Sequence, residues 1–285
     1  MKRALIIGYG FTGWSIDRAL SDRQYKVVGL RRDWDGPEKT TYSAKKITGD
    51  ITVPETLDQI DMEFDLVVNC VSSGDRGNTK RYRDVYLEGG RNVINWCVNN
   101  DVPKLIYTGS SSVYGDSGGD WVNEETPTAT DRSHVEILTQ AEQEYYSAHH
   151  QYEIDAIVCR LTGIYGPGRS RVLRNFRQGR VTLKQGGTRH RNMVRREDVG
   201  KMIGILAEEE SNHQCYNLTD NEPVHEKTFF QWLSEQMGRE MPPVSDEPSR
   251  RSNKQVTNQR FMEEFDVSLE YPTYREGYRD LINAD

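Results

Sequence analysis

Short apolar runs alternate along the chain with stretches whose apolar positions recur at helical spacing. Runs bounded by Gly, Asp or Ser at residues 4–7, 26–30, 44–47, 66–69, 104–108 and 156–160 predict strands, and residues 12–22, 81–99 and 133–149 predict helices between them. A strand that is apolar throughout is covered on both faces, so the rhythm predicts an α/β fold with a doubly wound parallel sheet. The weak point is 81–99. There Val85, Val93, Ile94 and Trp96 supply a partial apolar face, while Gly89 and Gly90 weaken the helix unless another backbone approaches. Beyond about Leu161 the alternation stops and glycines punctuate short segments. This predicts a main domain over 1–162 and a smaller C-terminal lobe over 163–285. Tyr216-Asn217-Leu218 is expected to return to the main sheet as a strand near 215–219. Residues 226–237 read as an amphipathic helix, and the polar, proline-bearing stretch 242–258 as a surface excursion.

The sharpest motif is Gly8-Tyr9-Gly10-Phe11-Thr12-Gly13, directly after the first predicted strand and opening the first predicted helix. The first glycine permits the tight turn. The second lets backbone amides at the helix start, those of Phe11 and Thr12 included, reach a pyrophosphate, and the third allows close packing of helix on strand. The pattern in this position predicts a Rossmann-type dinucleotide site. The second strand is followed by Arg31-Arg32, where an NAD site would offer a carboxylate to the ribose hydroxyls. A guanidinium there can grip an extra 2′-phosphate, so NADP(H) is expected in preference to NAD(H). The alternative is that both arginines are solvated charges and Asp33 reaches the ribose.

Further along, Ser110-Ser111-Ser112-Val113-Tyr114-Gly115 and Gly163-Ile164-Tyr165-Gly166-Pro167-Gly168-Arg169 give a more specific signal. With Gly49-Asp50-Ile51, Asn69-Cys70-Val71, Arg196-Glu197-Asp198-Val199, Tyr216-Asn217-Leu218 and Tyr271 to Gly277, they resemble the extended short-chain dehydrogenase/reductases, the nucleotide-sugar epimerase and dehydratase group. The likeness runs through nearly the whole chain. It implies that Ser110, or Ser111 if the register is shifted by one, hydrogen-bonds the reacting oxygen. It also implies that Asp50 and Ile51 meet the adenine, and that Cys70 and Val71 line the cofactor. Tyr114, Tyr165 and Asn192 fall where that family lines its substrate. Its Tyr-x-x-x-Lys pair is missing: the tyrosine position holds His134 and the lysine position Leu138, as in the atypical branch of the superfamily. An imidazole that titrates near ~6.5 can move a proton without a neighbouring lysine. Alternatively, His134 only opens a helix on a solvated face.

Charged residues make up 28% of the 285 and the formal net charge is -7, which argues against a nucleic-acid groove or an anionic membrane surface as partner. No run approaches the roughly 20 apolar residues of a membrane span. The four cysteines are scattered, the reading of a reduced, cytoplasmic protein. His149-His150 and His190 lack the companions of a metal site, so no metal is expected. These features point to an NADP(H)-dependent oxidoreductase or epimerase acting on a hydroxyl or carbonyl, of a sugar or nucleotide sugar in the reading the resemblance suggests. The other class left open is an inactive NADP(H)-binding sensor, which the missing pair would suit. A homodimer is left open as well.

Overall fold

The computed structural model of the chain describes residues 1–34, 44–74, 78–130 and 132–283. The first five strands are β1 (Arg3–Ile7), β2 (Lys26–Arg31), β3 (Lys45–Thr48), β4 (Leu66–Asn69) and β5 (Lys104–Ser110). The helices among and after them are α1 (Phe11–Asp22), α2 (Glu55–Asp58), α3 (Thr79–Tyr82), α4 (Gly89–Asn99) and α5 (Ser133–Gln151). A seven-stranded sheet runs in the order Cys215–Leu218, Asp155–Leu161, β5, β4, β1, β2, β3. The pairings β1 with β2, β1 with β4, β2 with β3 and β4 with β5 are all parallel. Ala4 to Ile7 and Leu66 to Val68 have no exposed surface, as expected of central strands covered on both faces. The expected doubly wound Rossmann-type sheet is therefore present. Its strand order reverses beside β1, whose neighbours are β2 and β4, and crevices for ligands open at the carboxyl ends of strands at such a reversal.

The chain forms two compact units, and it passes between them several times. The first comprises Met1–Val113, Thr128–Arg160 and Val199–Tyr216; the second comprises Tyr114–Pro127, Leu161–Asp198 and Asn217–Asp285. A single division at residue 162 with one return near 215–219 is thus a simpler partition than the one the chain adopts. Two local causes are visible. The short strand Trp121–Val122 pairs in parallel with Gln255–Val256, which ties 114–127 to the end of the chain. The helix Arg196–Glu208 is held on the first unit from Val199 onward: a Cβ on Gly200 would lie 2.4 Å from the Ser15 carbonyl oxygen of α1, a contact only glycine permits.

In the first unit, aliphatic side chains from β1, β2 and β4 pack with Trp96, Tyr107 and Tyr145 in one core. In the second, Tyr165, Phe176, Phe229, Phe230, Tyr274 and Tyr278 belong to another. The amphipathic segment 226–237 forms a helix over Glu226–Met237, ending on Gly238 in the left-handed conformation. The stretch 242–258 contributes two short strands, Val244–Ser245 and Gln255–Val256. The predicted helix 81–99 is not uniform: a π-helical segment, Arg83–Glu88, joins α3 to α4. What comes nearest Gly89 and Gly90 is side chain, with the Asp84 carbonyl oxygen 3.3 Å from a Cβ on Gly89. A Cβ on Gly89 would meet Ile51 Cδ1 at 2.7 Å, and one on Gly90 would stand 3.4 Å from the Tyr145 hydroxyl. The glycines let α4 close onto Ile51 and α5, at the price of helix propensity.

Candidate active site

The glycine loop leaves β1 through Gly8, whose φ of +89° is open to glycine and strained for other residues. Its amide and that of Tyr9 both donate to the Leu30 carbonyl, at 2.9 and 3.1 Å, fastening the loop to the end of β2. A Cβ on Gly8 would fall 2.7 Å from the Val71 nitrogen and 2.8 Å from the Cys70 carbonyl carbon, so the loop leaving β4 closes directly on it. Gly10 caps α1 without a side-chain hydrogen bond, and the first turn of that helix carries no acidic residue. A helix start of this kind, at Phe11, Thr12 and Gly13, favours an anion through its dipole. Phe11 is buried and Thr12 half-buried, so Phe11 offers its backbone rather than its ring. The Cys70 thiol points to the Gly8 carbonyl at 3.3 Å, and burial pushes it up to about 12, which makes it packing rather than nucleophile. These features fit a dinucleotide pyrophosphate: a glycine turn into a helix start, close backbone and no acidic residue in the first turn.

At the end of β2, Arg31 donates to the Tyr9 carbonyl at 3.3 Å, so its guanidinium lies against the glycine loop itself. Trp34 was not singled out from the sequence, yet it organises this corner. Its indole donates to the Ile47 carbonyl at 3.0 Å, and its ring lies 5.5 Å from that of Tyr9. Arg31 and Lys46 stand 5.6 and 5.4 Å from its centroid, within cation–π range. Arg32 is more exposed and reaches Asp50 at 4.0 Å. Burial pushes the Asp50 carboxyl up, but hydrogen bonds from the Thr52 amide and hydroxyl, with the charges of Arg32 and Arg81, outweigh it and hold the group below its ordinary value. Ile51 is 3% exposed and spends its side chain on the core against Gly89, so that side chain is withdrawn from any adenine.

Ser110 ends β5 half-buried, its hydroxyl 2.7 Å from that of Ser112 and accepting the Ser112 amide at 3.2 Å. Ser111 is buried at the start of the turn that follows. Of the two registers, the structure leaves Ser110 the more accessible hydroxyl. Ser112, its partner, could have been found from the triple-serine run. His134 is half-buried on the first turn of α5 and meets the Tyr82 ring edge-on, with centroids 6.1 Å apart. Leu138, on the same helix face, is buried at 4% exposure. One turn further, Glu142 forms a fully buried bidentate pair with Arg160, at 2.8 to 3.2 Å. Tyr107 and Tyr145 stack at 4.4 Å, and Asn69 donates to the Tyr145 hydroxyl at 2.8 Å.

The three residues assigned to the substrate side lie in the second unit, where each is tied into packing. Tyr114 is buried and its hydroxyl donates to Asn217 at 2.7 Å. Tyr165 is 3% exposed and stacks on Tyr278 at 4.5 Å; a Cβ on Gly277 would fall 2.0 Å from its hydroxyl oxygen. Asn192 donates to the Lys254 carbonyl at 2.9 Å and accepts the Val256 amide at 2.7 Å, so both ends of its amide clamp the late strand. Among the described residues, no group of three or more His, Cys, Asp or Glu side chains is gathered for a metal, and no helix is long and apolar enough to cross a membrane.

A model of the NAD dependent epimerase/dehydratase family matches residues 4–219, most of the chain. The chain belongs to this family. It is 25% identical over 277 residues to Protein YeeZ of Escherichia coli K12, covering 95% of this chain and 97% of that protein. The dTDP-glucose 4,6-dehydratase of Bacillus anthracis, solved with NAD, superposes with a TM-score of 0.85 at 17% identity over 99% of this chain and 96% of its own. The UDP-glucose 4-epimerase of Thermotoga maritima, solved with UDP-glucose, gives 0.85 at 16% identity over 98% and 99%. These two likenesses are of fold. Family membership makes a nicotinamide dinucleotide the cofactor class and oxidoreductase-type chemistry the class of activity.

Proposed function

We propose that this member of the epimerase/dehydratase family is an NADP(H)-dependent oxidoreductase or epimerase acting on a hydroxyl or carbonyl, with a nucleotide-linked hexose as the substrate class. The observation that carries the cofactor choice is the Arg31 guanidinium, held 3.3 Å from the Tyr9 carbonyl in the glycine loop. A charge so placed favours a 2′-phosphate, whereas a carboxylate there would repel one. The bound cofactor would supply or take the hydride. Gly8, Gly10 and the amides of Phe11 and Thr12 would hold its pyrophosphate, with Arg31 and Arg32 at the adenosine end. Ser110 would orient and polarise the reacting oxygen, its own hydroxyl fixed by Ser112. Proton transfer would fall to His134 or, in its place, to another group that reaches the reacting oxygen, water included.

A redox sensor without turnover is the second possibility. It is favoured by one observation: Leu138, where the family places its lysine, is built into the core. Titrating the protein with NADPH and NADH by nicotinamide fluorescence, then adding UDP-glucose with NADP⁺ and following the sugar by NMR, separates the two. NADPH should bind more tightly than NADH. Arg31→Ala should weaken NADPH by about 10- to 100-fold, the worth of one charge-assisted contact, and leave NADH within about threefold. Equal affinities in the wild type, or NADPH binding untouched in Arg31→Ala, would remove the NADP assignment.

A further inference from the structure

Position 134 has lost its phenol and position 138 its ammonium, but phenols stand beside them on another element of the same unit. Tyr82 ends α3, and Tyr86 follows within the π-helical segment Arg83–Glu88. Such a segment widens the helix by a residue per turn, re-aims the side chains that follow, and is frequent at functional sites. Here the two rings lie together, 5.0 Å between centroids, with Tyr82 also against His134. The Tyr86 hydroxyl oxygen accepts the Ser73 amide at 3.3 Å. Ser73 belongs to the loop leaving β4, the loop whose Cys70 and Val71 backbone closes on Gly8. β5 is the adjacent parallel strand, with Tyr107 opposite Asn69, so Ser110 leaves the sheet at this same carboxyl edge.

The other two phenols nearby are sealed. Tyr107 and Tyr145 are stacked in the core at 2% and 0% exposure, where a phenolate would be costly. Tyr86 is partly exposed, and among the described residues its hydroxyl oxygen accepts the Ser73 amide, which leaves its proton to give.

We infer that Tyr86 exchanges the proton with the reacting oxygen, replacing from the π-helical segment the phenol that residue 134 lacks. This rests on the function proposed above and names its acid. In the reducing direction the carbonyl carbon receives a hydride from the reduced nicotinamide dinucleotide as the C=O π bond opens. The Tyr86 O–H bond breaks and its proton goes to the substrate oxygen, giving an alcohol. The phenolate oxygen faces the Ser73 amide while it carries the charge, and regains a proton from water. His134 is then a positioning residue that steadies Tyr82 against Tyr86.

The test uses the full chain labelled with [13Cζ]tyrosine, as wild type, Tyr86→Phe, His134→Ala and Tyr152→Phe. The Tyr86 resonance, identified by its loss in Tyr86→Phe, should move when NADPH saturates the protein and move again with NADP⁺. The resonance of Tyr152, exposed just beyond the end of α5, should stay in place. In turnover of UDP-glucose with NADP⁺, Tyr86→Phe should lose about a hundredfold in kcat with NADPH affinity within about twofold, while His134→Ala loses less and keeps the wild-type pH profile. A Tyr86 resonance indifferent to both cofactor forms overturns the assignment, as does a Tyr86→Phe enzyme keeping more than about a tenth of wild-type kcat. Where UDP-glucose is not turned over, the resonance alone decides. A wild type that binds neither cofactor form overturns the proposed function and this assignment with it.

Discussion

The glycine loop and the head of α5 belong to one unit of the molecule, yet the loop is fixed by backbone geometry while α5 carries His134 and Leu138 where the resemblance leads one to expect a tyrosine and a lysine. The loop works through its backbone. Gly8 must hold φ at +89° with the Val71 nitrogen 2.7 Å from where a Cβ would lie, and glycine alone among the residues meets both demands. The head of α5 works through side chains that any element reaching the same point can supply. Side-chain chemistry of that kind can be supplied from a neighbouring element such as the π-helical segment, whereas the glycine of the loop has no substitute.

The largest effect that could break this contrast is Gly8→Ala. A side chain at positive φ costs about 1–3 kcal/mol and pressing it into backbone a similar amount, so stability should fall by about 2–6 kcal/mol. NADPH affinity should drop by more than about a hundredfold, because the amides around it lose their placement. Urea unfolding and nicotinamide fluorescence read the two effects. A variant that folds and binds like the wild type would show that the loop is as replaceable as the helix head.

Next comes Glu142→Gln, which separates the chemistry of α5 from its architecture. Glu142 and Arg160 are 1% and 5% exposed in their side chains, so removing one charge strands the other in the core. The expected loss is about 3–5 kcal/mol by urea unfolding, and replacing both partners with apolar residues of similar size should recover most of it. A loss below about 1 kcal/mol would mean that water or another group reaches Arg160.

The same division governs what could be read in the sequence. The glycine loop, the strands and the helix Glu226–Met237 rest on local spacing, and the structure has them within a residue or two. The residues that complete the site were hidden for physical reasons. Tyr86 lies in a π-helical turn, which breaks the i, i+4 spacing by which a face is recognised. Trp34 follows Arg31-Arg32-Asp33 in a polar stretch, and only the fold brings Lys46 and Tyr9 to its ring. The helix Arg196–Glu208 begins with four charged or β-branched residues, which weakens its helical signal, and its close seat on α1 shows only when Gly200 is seen against Ser15. Tyr165, in a family-like motif, and Asn192, at a position the resemblance assigns to substrate, have side chains absorbed by packing with Gly277 and the Lys254–Val256 backbone, partners that lie far along the chain.

The smallest expected effect is at Asp50, where the loop side of the contrast can be sharpened by pH. Burial raises this carboxyl, but the Thr52 hydrogen bonds and the Arg32 and Arg81 charges hold it below its ordinary value in the folded protein. A group depressed on folding adds stability that is present above its unfolded value, near ~3.9, and is lost as pH falls through the lower folded value. The wild type should therefore lose this contribution in the acid range, and Asp50→Asn should lose nothing there. Because Asp50 is partly exposed and the Arg32 contact is as long as 4.0 Å, the variant should cost no more than about 1 kcal/mol at neutral pH. Subtracting the urea stabilities of the two proteins from pH 7 down to about pH 3 isolates the group. A difference that shrinks toward acid pH fits a depressed carboxyl, while one that stays constant would mean that Thr52 and Arg32 serve only to shape the turn. Asp50→Asn also removes the partner of Arg32, so NADPH should bind the variant at least as tightly as the wild type; weaker binding would place the Asp50 carboxylate itself on the cofactor.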